Sequence, residues 1–206
     1  MNRKTLFYTG FFVVLAVGFY FVLTRVIPGF GQKTMQTGSY VRPFSLTNQD
    51  GKQITEKDVA GKVYVAEYFF TTCKGICPDM NNNMKLVYEA FKNEPDLLIL
   101  SHTSDPETDT PEQLKKYADS LGVNTNKWIF LTGRKDSLYN IARVSYLIDD
   151  PQNNLKSIDD QFIHSQFWAL VDRNGNVIKE AYDGLKKAEV EKLIKDARKL
   201  LKGKAK

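Results

Sequence analysis

Cys73 and Cys77 are the only two cysteines in the 206-residue chain. They stand four apart in "YFFTTCKGICPDM" (residues 68–80), after an apolar run and with Pro78 directly behind the second. Two such thiols can be a structural staple, a redox couple or half of a metal site. A staple closing so small a loop adds little stability, and a domain of this size does not need one. Residues four apart on a helical turn face the same way, so both sulfurs can point at one external atom. A helix N-terminus also favours thiolate over thiol. Two thiolates make a soft pair that suits Cu(I), and also zinc. Residues at i and i+4 on a regular helix are often too far apart to bridge, but Gly75 makes the segment pliable, so a turn can bring the sulfurs together.

A soft pair calls for a third ligand, and the chain has two histidines, His102 and His164. His102 ends an apolar run in "LLILSHTSDP", where a satisfied core histidine is the ordinary case. His164 lies in "DDQFIHSQFWALVD", on a loop feeding a strand. Loops at strand ends gather at one rim of an α/β sheet, which favours His164 over His102. Glu67 interrupts the buried run six residues before Cys73. A buried carboxylate there has a raised pKa. It resembles the acidic residue that handles protons in thioredoxins, and its bland alternative is a strand-edge Glu bonded to neighbouring backbone.

The elements that must position these groups alternate. "KVYVAEYFF", "DLLILSHTS" and "KWIFLTG" read as buried strands. "PDMNNNMKLVYEAFKN", "DTPEQLKKYADSLG" and "KDSLYNIARVSYLI" read as the helices between and after them, the second capped by Thr110 and stopped by Gly122. Hairpins are predicted across Asn48–Gly51 and at Asn174–Gly175. The order predicts an α/β sandwich with a mixed central sheet, the cysteines at the carboxyl end of the first central strand.

The charge balance is +5, but nine basic residues between Lys186 and Lys206 alternate with Val190, Leu193, Ile194, Ala197 and Leu200 at helical spacing. They read as the wet face of a terminal amphipathic helix, not as a nucleic-acid surface. At the other end, Arg3 and Lys4 precede about twenty uncharged residues that close at Arg25. No Ala-x-Ala site follows, and no cysteine is present for a lipobox. Residues 1–26 are therefore read as an uncleaved single transmembrane helix, crossing with residues 5–24. Residues 27–39 read as a linker and 40–203 as the folded domain. Arg3 and Lys4 place the N-terminus in the cytoplasm, and the domain outside it, at an inner or plasma membrane.

Three segments carry a family resemblance. "TTCKGICPDM" resembles the T-x-C-x-x-x-C-P segment of the Sco/SenC proteins. "SHTSDPETDTPEQLKKYADSLG" and "IHSQFWALVDRNGNVIKEAYDG" are similar to two further stretches of that family, in the same order. The resemblance runs from about Tyr40 to Lys199. It implies a thioredoxin-like fold and a copper chaperone for cytochrome c oxidase assembly, delivering to the dinuclear copper site of subunit II. By position it puts the copper ligands on Cys73, Cys77 and His164. It departs from the family at Lys74, where many members have Pro, and at Ile163, where many have Asp. Lys74 should favour the thiolates, and Asp159 and Asp160 are candidates to compensate at the second position. On this reading the chain is not an enzyme in the strict sense. The alternative is a thiol–disulfide oxidoreductase using Cys73 and Cys77 as the redox pair. A peroxiredoxin-like peroxidase is a third option, weakened because no Arg lies in residues 43 to 133.

Overall fold

The computed structural model describes residues 2–26, 37–149, 163, 165–178 and 181–203. The chain divides into two compact units, Met1–Gln36 and Thr37–Lys206. The first holds helix α1 (Arg3–Val26). Its 24 residues rise about 36 Å, against roughly 30 Å of bilayer hydrocarbon. Among the described residues it is the one helix long and apolar enough to cross a membrane.

The second unit is a thioredoxin-like α/β sandwich around a mixed sheet. Its strands among the described residues are β1 (Thr37–Tyr40), β2 (Ser45–Asn48), β3 (Gln53–Thr55), β4 (Val63–Phe69), β5 (Leu97–Thr103), β6 (Trp128–Thr132), β7 (Phe167–Val171), β8 (Asn176–Ile178) and β9 (Tyr182–Asp183). They run in the order β1-β8-β7-β4-β5-β6-β2-β3, with β9 beside β7. The three central strands β4, β5 and β6 are parallel, and the flanking pairs are antiparallel. Helices α2 (Cys77–Phe91) and α3 (Pro111–Leu121) make the crossovers, α4 (Lys135–Asn140) follows β6, and α5 (Lys187–Lys202) closes the described chain.

Every residue of β4 and β5 is buried, as their unbroken apolar character requires. The pleat divides them. Tyr64, Ala66, Tyr68, Leu98 and Leu100 enter one core with Leu138, Tyr139 and Tyr146. Glu67, Phe69 and Ser101 alternate with them and take the other face. There Phe69 stacks on Tyr117 of α3, with ring centroids 5.3 Å apart.

The two hairpin turns are closed by their asparagine and aspartate. Asn48 Oδ1 accepts from the amides of Asp50 and Lys52, and Asp172 Oδ1 from those of Asn174 and Asn176. Helix α3 starts and stops at the predicted residues: Thr110 Oγ1 accepts the Gln113 amide, and Gly122 turns left-handed at φ 67°. In α5, Val190, Leu193 and Ala197 are buried, so the basic residues line its wet side.

Two boundaries differ from the sequence reading. Strand β1 takes in Thr37–Ser39, read as linker, because Thr37 and Ser39 pair with Ile178 and Val177 of β8. A mostly exposed edge strand carries no apolar alternation to announce it. The helix predicted over 135–148 breaks into α4 and a π-helical turn, Ile141–Tyr146, ended by Leu147 at φ 57°. That wider turn buries Ile141, Ala142, Arg143, Ser145 and Tyr146 together, more than one face of an α-helix could.

Gly184, just after β9, sits so close to Trp168 that an added Cβ would lie 2.4 Å from the indole ring. Its carbonyl also accepts from Asn83 of α2 at 2.8 Å. Gly184→Ala is expected to lower stability by about 1–3 kcal/mol through overpacking. A urea midpoint that drops at unchanged m-value would show it.

Candidate metal centre

The loop from Phe70 to Ile76 leaves the carboxyl end of β4 and enters α2. Cys77 opens the helix and is buried, whereas Cys73 on the loop is half-buried. Both are free thiols, and the Cys73 thiol is near enough to perturb that of Cys77. The Cys73 amide donates to the Phe70 carbonyl at 3.2 Å, and the Phe70 backbone lowers the Cys77 pKa somewhat. The structure thus brings two soft donors together at one rim of the sheet.

The Cys77 thiol does not behave as a helix N-terminus alone would dictate. Burial pushes its pKa up to about 12, and the Cys73 thiol adds to the rise. Desolvation outweighs the helix end and the Phe70 backbone, so the metal-free site holds its proton. Lys74 is exposed, where solvent screens its charge.

Glu67 is not a strand-edge residue. It lies in the central strand with no solvent exposure. Ser101 Oγ donates to Glu67 Oε1 at 2.6 Å and itself accepts from Trp128 Nε1 at 2.7 Å. Glu67 Oε2 has no hydrogen-bond partner among the described residues. Burial raises its pKa to about 7, opposed by the Ser101 bond. Its charge in turn contributes to the upward shifts of Cys77 and Tyr117.

His102 is a satisfied core histidine. It lies on the sheet face opposite Glu67, stacked on Tyr68 with centroids 5.1 Å apart. Nδ1 stands 3.3 Å from the Glu67 carbonyl and Nε2 3.4 Å from Tyr146 Oη. Burial holds its pKa down near 4. Both nitrogens are engaged, so the ring offers no ligand to the cysteines.

His164 lies outside the described residues, as do Asp159 and Asp160. Its neighbours are described. Ile163 is buried and donates its amide to Tyr139 Oη at 3.4 Å. Ser165 is buried and donates to the Ile148 carbonyl at 2.7 Å. Strand β7 runs antiparallel to β4, with Ala169 opposite Ala66, so it begins at the rim where β4 ends. Among the described residues no third His, Cys, Asp or Glu joins the cysteines in a metal-binding group.

The sequence reading missed the groups that brace this rim. Asp109, fully buried, accepts from the Thr71 amide at 3.1 Å and from the hydroxyls of Thr71 and Thr103 at 2.5 Å each. Gln113 Nε2 donates to Thr71 Oγ1 at 3.3 Å. Tyr117 receives a hydrogen bond from Asn81 of α2. The available signal was an aspartate directly before a Thr-Pro helix cap, a place where short polar residues bond to backbone.

Comparison with known proteins follows the same lines. The SCO1/SenC family model matches residues 32–202. The SCO1 protein homolog of Bacillus subtilis is 34% identical over 173 residues, covering 82% of this chain and 86% of that protein. The solved structure of BsSco, a member of the Sco family of cytochrome c oxidase assembly proteins in which a disulfide switch has been identified, superposes with a TM-score of 0.69. It is 32% identical and covers 84% of this chain and 98% of its own. Arabidopsis thaliana ScoI, solved with copper bound, gives a TM-score of 0.62 at 28% identity, covering 78% and 99%.

The buried carboxyl and the buried imidazole titrate with opposite consequences. Glu67 is protonated in the fold up to about pH 7 but ionises from its ordinary value of 4.5 when unfolded. Its contribution to stability therefore falls as pH rises through that window. His102, neutral in the fold down to about pH 4, loses stability as pH falls below its ordinary 6.5. Glu67→Gln should thus steepen the rise of stability between pH 4.5 and 7. The change relative to wild type should reach the order of 3 kcal/mol across the window. Urea midpoints of both proteins at pH 4.5, 6 and 7.5 would check the sign.

Proposed function

The chain belongs to the SCO1/SenC family, and from that premise we propose that it is a membrane-anchored copper metallochaperone for cytochrome c oxidase assembly. The observation that carries this reading is the pair of free thiols, close enough for Cys73 to perturb Cys77, in the loop and helix that follow the carboxyl end of β4. Two sulfurs so placed are the soft donor set that Cu(I) prefers. Copper is the cargo. Cys73 and Cys77 supply two ligands and His164 the third, and the ion passes to the dinuclear copper site of oxidase subunit II. Because Cys77 holds its proton to about pH 12 without metal, copper must displace that proton, and affinity rises with pH. The copper-bound structure of Arabidopsis ScoI supports the assignment.

The apolar helix supports the anchor. Residues 1–26 hold the chain in an inner or plasma membrane with Arg3 and Lys4 in the cytoplasm. Residues 27–36 link, and residues 37–203 carry copper on the periplasmic or extracytoplasmic side.

One observation favours a second role. Glu67 is buried, has an oxygen without a hydrogen-bond partner among the described residues, and titrates near neutrality. Such a group can accept and return a proton during dithiol exchange. A thiol–disulfide reductase would need Cys73 and Cys77 but not His164.

Reduced full-length protein in detergent should bind one copper per chain. His164→Ala should weaken binding by about tenfold or more, the usual loss when a metal site is disturbed at one group. Oxidising the pair to a disulfide should abolish binding, since the thiolate is the ligand form. Unchanged affinity in His164→Ala would remove that residue from the site and leave the redox role.

Orientation is checked separately. Protease added to intact spheroplasts should digest the domain and spare the anchor. Full protection, or release of a soluble form cleaved near residue 25, would overturn the topology.

A further inference from the structure

We propose that Asp109 is the positioning residue of the Cys73–Cys77 pair: its buried carboxylate clamps Thr71 to the end of β5 and so sets the distance between the two sulfurs. Cys77 is held by α2, whose first turn closes through the Met80 amide on the Ile76 carbonyl at 3.0 Å. Its side chain is buried. The separation of the sulfurs therefore depends on where the chain places Cys73. Two residues reach at most about 7 Å, so a fixed Thr71 confines Cys73 closely.

Thr71 is fixed by three acceptor–donor contacts. One Asp109 oxygen takes the Thr71 hydroxyl, the other takes the Thr71 amide, and Gln113 donates to the same hydroxyl. Asp109 is anchored in turn. Thr103 donates to it from the end of β5, and its own amide donates to the Asp105 carbonyl at 2.9 Å. The Ser104 amide binds the Phe69 carbonyl at 2.8 Å, tying the two strand ends together beneath the clamp. A carboxylate suits this task because both oxygens accept and neither donates. Asparagine has the same shape but turns one acceptor into a donor, so it keeps only one of the two oxygens that Thr71 and Thr103 donate to.

The inference rests on Cys73 and Cys77 being the working pair, and it predicts effects beyond stability. Dithiol and oxidised glutathione exchange to give the Cys73–Cys77 disulfide and two reduced glutathiones, so the equilibrium reports how readily the sulfurs meet. In full-length protein in detergent, Asp109→Asn and Thr71→Val should each lower that equilibrium constant about tenfold, or about 30 mV toward easier reduction. Thr71→Ser keeps both donors and should keep the wild-type constant. Copper affinity of the reduced protein should fall in parallel in the first two variants. A lowered urea midpoint with a wild-type glutathione equilibrium in the clamp variants would overturn the proposal and leave Asp109 a structural brace. If Asp109→Asn does not fold, Thr71→Val decides. If wild-type protein binds no copper, the chaperone reading fails, while the glutathione equilibrium still decides the clamp.

Discussion

The parallel register of β4 against β5 is the constraint from which the rest of the site follows. It runs from Val63 opposite Leu97 to Phe69 opposite Thr103 without a slip. Glu67 falls beside Ser101, which is why the carboxyl finds a hydroxyl. Tyr68 falls beside His102, which is why the two rings stack. Phe69 falls beside Thr103, so the loop leaving β4 starts next to the group that orients Asp109. A shift of one residue would turn every one of these side chains to the other face.

The same face of that strand pair handles two carboxyl groups in different ways. Asp109 is satisfied by three donors, and a buried carboxylate so supplied is a rigid structural joint. Among the described residues Glu67 receives one donor and leaves an oxygen bare. An unpartnered polar atom in the interior is costly, and here the cost is reduced by holding a proton. One residue holds the loop in place while the other remains responsive to pH.

Much of this was legible beforehand, for physical reasons. Long apolar runs, Thr110 before Pro111, Gly122 and the Asn-Gly turn at Asn174 each impose a local conformation that tertiary contacts do not override. The cysteine spacing implied a strand-to-helix turn, and the two thiols do lie where β4 leads into α2. What stayed hidden depends on distant partners. Nothing local marks Thr37 as a strand residue, since its partner lies beyond residue 170. Thr71 and Asp109 are 38 positions apart and meet only once β4 and β5 align. The upward shift at Cys77 could not be foreseen either, because a motif names the helix end but not the depth of burial.

The two thiols are unequal, and the inequality imposes an order of events. Cys73 is the sulfur that solvent reaches, while Cys77 is shielded at the root of α2. If the pair works as proposed, an incoming thiol, oxidant or acceptor ligand would therefore meet Cys73 before Cys77. Under the proposed function, exchange at this rim would then have a leading and a trailing atom, and a partner would begin it by presenting its own donor to the outer sulfur.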